Sequence, residues 1–134
     1  MDATIPDSHA DLLDKPAFAH MACHLKDGSI LCNPVWFTHR GGLLVVNSAV
    51  GRLKDRALRR NPTVTLCISD PDNPYRYLEI RGRVETITTE GAETEIDQLA
   101  SHYLGVDRYP HRRQGEMRVS YRIRPERVVA FPKG

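Results

Sequence analysis

The sequence predicts a mainly β fold, six or so antiparallel strands closed into a small barrel, with two helical interruptions. Short runs rich in β-branched and aromatic residues recur along the chain, separated by turn chemistry such as Lys26-Asp27-Gly28-Ser29 and Arg40-Gly41-Gly42. Helical spacing appears in only two places, after Gly51 and after Thr88. The 134 residues suit one domain, 1–134, and the balance of 40% hydrophobic to 27% charged residues is that of a globular protein.

In order, SHADLLDKP opens the chain with an amphipathic turn that Ser8 is placed to cap and Pro16 to stop. AFAHMACHL reads as the first strand. Asp27-Gly28 tolerates the positive φ of a tight hairpin and leads into a second strand, ILCNPVWFT. Pro34 lacks an amide hydrogen and belongs at an edge, a bulge or a place where the backbone turns towards something else. LLVVNS, the third strand, is apolar nearly throughout, which implies burial on both faces. A short helix covers Gly51 to Arg60, and Asn61-Pro62 ends it before TVTLCISD, the fourth strand. PDNP is a loop, YRYLEIRGRVETI the longest strand, and Thr88 or Thr89 begins the second helix, whose apolar stripe is Ile96, Leu99, Ala100 and Tyr103. GVDRYPHRRQGE is a loop, and MRVSYRIRPERVVAF closes the chain as a strand broken at Pro125.

Several function classes fall away. A net charge of +2 is small for a nucleic-acid binder, no stretch is apolar enough to span a membrane, and MDATIPDSHADLL lacks the layout of a secretory signal, so a cytoplasmic protein is expected. Cys23, Cys32 and Cys67 cannot all pair and read as buried free thiols. The six histidines are scattered; His20 and His24 share one strand face and read as structural or surface residues, with a substrate or haem contact as the alternative. No nucleophile, base and acid pattern, metal-ligand cluster or dinucleotide fingerprint is present, so neither a catalytic residue nor a metal site is assigned.

One stretch stands out. VNSAVGRLKDRALRRNP places Arg52, Lys54, Arg56, Arg59 and Arg60 against a single acid, Asp55. A helix start already presents unpaired amide hydrogens and partial positive charge, so Arg52 and Lys54 make it a strong anion site with phosphate as the natural guest. On a helical wheel Arg52, Arg56 and Arg59 share a face while Lys54 points elsewhere; the competing reading of Arg56, Arg59 and Arg60 is a solvated face.

VVNSAVGRLKDRALRRNPTVTLCI, followed by YRYLEIRGRVETI, resembles the split β-barrel flavin- and deazaflavin-binding family that includes pyridoxamine 5′-phosphate oxidase. The likeness runs from the hairpin at Ala17 to the last strand and is greatest to the branch using the deazaflavin coenzyme F420. It implies a Greek-key-like split β-barrel and a homodimer with cofactor sites at the subunit interface. Lys54 matches the phosphate-binding lysine, with Arg52 as its partner and Arg56 on the same helix. Users of flavin mononucleotide (FMN) commonly have Arg and Lys adjacent; here Leu53 intervenes, as in the deazaflavin branch. The resemblance also implies ring-side roles for Asn33, Val35 and Trp36, a place before the phosphate for Asn47 and Ser48, and ring-side or partner-subunit roles for Tyr75 and Tyr77. For Trp36, Tyr75 and Tyr77 ordinary packing remains the alternative.

The expected activity is an F420-dependent reductase passing hydride to an unsaturated small organic acceptor, with the glutamate tail of F420 met by Arg56, Arg59 and Arg112-Arg113. The alternatives are an FMN-dependent flavoprotein and a non-enzymatic carrier of cofactor or haem.

Overall fold

The computed structural model describes residues 3–133. Seven strands form one antiparallel sheet: β1 (Ala19–His24), β2 (Ile30–Val35), β3 (Phe37–Arg40), β4 (Leu43–Ala49), β5 (Thr63–Asp70), β6 (Asn73–Thr88) and β7 (Arg118–Phe131), in the order β2-β1-β5-β6-β7-β4-β3. Its two edges, β2 and β3, are consecutive in the chain and separated only by Trp36. A sheet whose opposite edges are joined through one residue has to curl until they nearly meet. That is the split-barrel form of the expected fold: the hydrogen-bond ladder stays open between β2 and β3, and the chain closes the gap.

Alternation fills the inside. Val64, Leu66 and Ile68 of β5 point inward with Met21 and Cys23 of β1 and with Leu78 and Ile80 of β6. Phe37, Tyr121, Ile123 and Leu12 complete a continuous core. β4 is buried on both faces, as its composition predicts, because Leu44 and Val46 face this core while α2 (Ala92–Leu104) covers the other side. α1 (Leu53–Arg60) lies between β4 and β5 and inserts Ala57 and Leu58.

Several expectations need correction. ILCNPVWFT is two strands, not one, since the chain turns at Trp36 to reach the far edge. The helix at Gly51 therefore follows the fourth strand. Pro125 does not break the last strand. β7 runs through it by a register shift opposite Gly82, where an added Cβ would sit 2.5 Å from the Arg124 carbonyl oxygen. α2 starts at Gly91, in the left-handed region, because Thr88 is still paired in β6. The opening segment is a 3₁₀ helix, Asp7–Leu13, and Ser8 bonds to His9 instead of capping it. Of the cysteines, which are all free, only Cys23 is buried; Cys32 faces outward on the edge strand and Cys67 is partly covered. His20 and His24 sit on the exposed face of β1. No described helix is long and apolar enough to cross a membrane.

The 3₁₀ helix is tied to the β5–β6 hairpin by charge. Arg76 donates to Asp70 at 2.9 Å, to the Ser8 carbonyl at 2.7 Å and to Asp11, and Lys15 donates to Asp70 at 3.3 Å. The Asp72 amide, then Arg76 and Lys15, hold the Asp70 carboxyl down at about 2. A carboxyl depressed by folding stabilises the fold fully above its unfolded value, about 3.9, and loses that contribution as the pH falls through the folded value. Urea midpoints are therefore expected to drop between pH 4 and 2. Arg76→Met should shrink that drop; a midpoint flat over this range would remove the charge cluster from the account.

Candidate functional site

β4 ends at Ala49, and the turn before α1 needs Gly51 at φ 89°, a conformation other side chains resist. Arg52 is the N-cap residue, with extended φ and ψ of −67° and 161° and no side-chain cap bond. Asp55, three positions on, takes over the capping. Its buried carboxylate accepts the Gly51 amide at 2.9 Å, the Tyr121 hydroxyl at 2.7 Å and Arg59 Nε at 3.0 Å. Burial opposes that charge, but these donors outweigh it and keep the Asp55 carboxyl below the usual range. Burial and the Asp55 charge together push the Tyr121 phenol far up, so its proton stays on the hydroxyl.

The helix start so fixed borders a cavity of about 210 Å³. Arg52 and Lys54 both line it, contrary to the helical-wheel expectation, because Arg52 precedes the helical φ/ψ region and is aimed independently of the wheel. Lys54 is partly buried, and that burial lowers its pKa, opposed by Cys23 and, to a smaller extent, reinforced by the Arg52 charge; no carboxylate of the described residues contributes. It is a partly desolvated cation with no counter-ion among the described residues. The polar wall is completed by Asn47, Ser48 and Arg118. Asn47 donates to the Ala92 carbonyl at 3.0 Å and to Glu95 at 2.9 Å, and its own carbonyl accepts Arg118 Nε at 2.9 Å.

The opposite wall is aromatic and apolar. Phe18 comes from just before β1, Val35 from the end of β2 and Trp36 from the β2–β3 join, Ile96 and Leu99 from α2, and Tyr109 and His111 from the loop after it. Trp36 stacks on Tyr103 at 5.2 Å and meets Tyr109 edge-on at 5.9 Å. The Tyr103 hydroxyl accepts the Phe37 amide at 3.2 Å and donates to the Ala17 carbonyl, pinning the chain on either side of the sheet opening. Arg52, Tyr109 and His111 also border a second groove of about 490 Å³ whose other walls are Arg112 and Arg113.

Of the residues expected at the site, the structure thus gathers Val35, Trp36, Asn47, Ser48, Arg52 and Lys54. Asn33 lies on the same face of β2 as Val35, and its buried Oδ1 has no hydrogen-bond partner among the described residues. Leu53 and Arg56 are not brought in. They line a separate groove of about 380 Å³ with Leu25 and Lys26, while Arg59 is held by Asp55, so the shared face expected for Arg52, Arg56 and Arg59 does not form. Tyr75 is exposed and Tyr77 stacks on Phe131 at 5.5 Å; neither lines the cavity of its own chain. Phe18, Tyr103, Tyr109, His111 and Arg118 were not foreseen. The alternation of MRVSYRIR gives no hint that Arg118 would be only 3% exposed, under the Tyr109 ring at 5.1 Å.

A partly desolvated lysine beside an exposed arginine at a helix start, facing an aromatic wall, suits a flat ring that carries a phosphate. Known proteins bear on this directly. One solved structure, an F420 reductase, is 32% identical, with 93% of this chain and 98% of that one covered at a TM-score of 0.82. HupZ of Group A Streptococcus is 19% identical over 98% of this chain and 97% of its own (TM-score 0.70), and a conserved protein of Mycobacterium tuberculosis, Rv2991, 20% identical over 96% and 86% (TM-score 0.71); these two share the fold. Among curated proteins, none matches the sequence. Residues 5–131 match the profile of the pyridoxamine 5′-phosphate oxidase family, and with that match and this fold the chain belongs to the family.

Proposed function

We propose that this chain is an F420-dependent reductase that passes hydride from the reduced deazaflavin to an unsaturated small organic acceptor. The observation that carries the reading is the site itself: Arg52 and partly buried Lys54 beside an aromatic wall, with Arg52, Tyr109 and His111 shared with the groove of Arg112 and Arg113. The likeness to an F420 reductase at 32% identity supports the choice of cofactor. Family membership alone fits FMN equally well.

The residues fit such a group. Among the described residues Lys54 has no anion beside it and the Asn33 side-chain oxygen has no donor. Arg52 and Lys54 would hold the phosphate, and Trp36, Phe18 and Val35 would flank the ring and keep water from it. The glutamate tail falls to Arg112 and Arg113 in place of Arg56 and Arg59, since only the former border a groove shared with Arg52. When bound, the deazaflavin supplies the hydride, so the protein's task is to bind, orient and exclude water. No dedicated catalytic side chain enters this scheme.

We take 1–134 as one cofactor-binding unit working as a homodimer, for which the exposed Phe18, Leu53, Met117 and Tyr75 argue. Sedimentation should give twice the chain mass at micromolar concentration; a monomer that binds cofactor at full strength would contradict the shared site. The test of activity is oxidation of reduced F420 by a panel of α,β-unsaturated carbonyl compounds, read as the return of deazaflavin fluorescence. Acceleration by the protein with at least one acceptor is expected. Acceleration with reduced FMN and none with F420 would move the assignment to a flavoprotein.

A further inference from the structure

Arg52 is not free to meet a ligand. Its Nη2 donates to Glu116 Oε2 at 2.9 Å, and the other oxygen of that carboxylate accepts Arg118 Nη1 at 2.7 Å. The two halves of this bridge differ. Arg118 is buried and held a second time by Asn47, whereas the Arg52 side chain is 45% exposed and has no other hydrogen bond among the described residues. The Glu116 side chain is only 5% exposed. Although burial opposes its charge, Arg118 and Arg52 keep its carboxyl below the ordinary range, so it is an anion at neutral pH.

We propose that Glu116 is a built-in competitor for the anion site: it occupies Arg52 until a ligand phosphate takes that arginine over, and it thereby selects phosphate over weaker anions. The inference rests on the reading of Arg52 and Lys54 as the phosphate site. A carboxylate ligand would exchange one monoanion for another on Arg52 and gain little. A phosphate monoester carries close to two charges at neutral pH and can engage Lys54 as well, so the exchange favours it. The Arg118 half of the bridge stays closed throughout and holds Glu116 ready to reclaim Arg52 when the ligand leaves.

The experiment is calorimetric titration with inorganic phosphate and with acetate. Glu116→Gln keeps an acceptor for Arg118 and the side-chain shape but drops the charge. It is expected to bind phosphate roughly tenfold more tightly than the unmodified protein, and to bind acetate measurably where the unmodified protein does not. Glu126→Gln removes the same charge at the far end of β7 and should leave both affinities unchanged. Lys54→Ala should abolish phosphate binding in either background. Equal phosphate affinity with and without Glu116, still lost on Lys54→Ala, would overturn the role of Glu116 and leave the phosphate site standing. Phosphate binding that ignores Lys54→Ala, or none at all, would overturn the site and the inference with it. Should Glu116→Gln not fold, the unmodified protein answers by NMR: the Glu116 carboxylate carbon is expected to shift as phosphate is added while that of Asp55 does not. A Glu116 signal that stays still at saturation would refute the exchange.

Discussion

Asp55→Ala is expected to cost about 2–4 kcal/mol of stability, the combined scale of a lost helix cap and a buried hydroxyl left without its acceptor. Three donors converge on this carboxylate: the Gly51 amide, the Tyr121 hydroxyl and Arg59. Arg59 is half exposed and regains water when the carboxylate goes, so its share is small. Tyr121 cannot, because it is fully buried. Tyr121→Phe removes only one donor and should cost about 1 kcal/mol. Urea denaturation measures both. The substitution should also loosen the turn that aims Arg52 and Lys54, so anion affinity should fall in the protein that remains folded. A midpoint unchanged by Asp55→Ala would mean that the helix start is held by something else.

Lys54→Ala is expected to act in the opposite sense on stability and strongly on binding. Cofactor affinity should weaken by roughly 1.5–3 kcal/mol, the scale of a hydrogen bond to a charged group, which corresponds to about tenfold to a hundredfold in Kd. The melting temperature should hold or rise, because the substitution removes a partly desolvated cation that no carboxylate of the described residues offsets. This separation of stability from affinity is what distinguishes a ligand-binding lysine from a structural one. Unchanged affinity at an unchanged melting temperature would take Lys54 out of the site.

The elements that the sequence announced are those whose cause is local. The hairpin turn at Asp27-Gly28, the alternation of TVTLCISD and the two-faced burial of LLVVNS all follow from side-chain type and spacing, and each recurs in the structure. The anion site was legible for the same reason, since two cations at a strand-to-helix handover need nothing distant to make sense. Arg52 and Lys54 were nonetheless assigned different directions, because the helical wheel was applied to Arg52, which as N-cap lies outside it. The break at Trp36 was not legible. In ILCNPVWFT only Pro34 hints at the strand end at Val35; beyond it the Phe37 amide is accepted by the Tyr103 hydroxyl, from the far end of α2, a partner no local pattern announces. Asp55 and Arg118 are similar cases. Asp55 reads as a lone acid in a basic helix and Arg118 as one more residue of the last strand, and only the packing of β7 against α1 and Asn47 gives each its partners.

On the proposed function, the Arg52 and Lys54 helix start, with its aromatic wall, holds a deazaflavin phosphate in preference to a flavin phosphate. Side-by-side fluorescence titration of the unmodified protein with F420 and with FMN tests it most directly. The account predicts saturable quenching of F420 at a Kd at least tenfold below that for FMN, with part of that margin lost when Arg112 and Arg113 are both replaced by Ala. Tighter binding of FMN, or a protein that binds haem and neither ring, would contradict it.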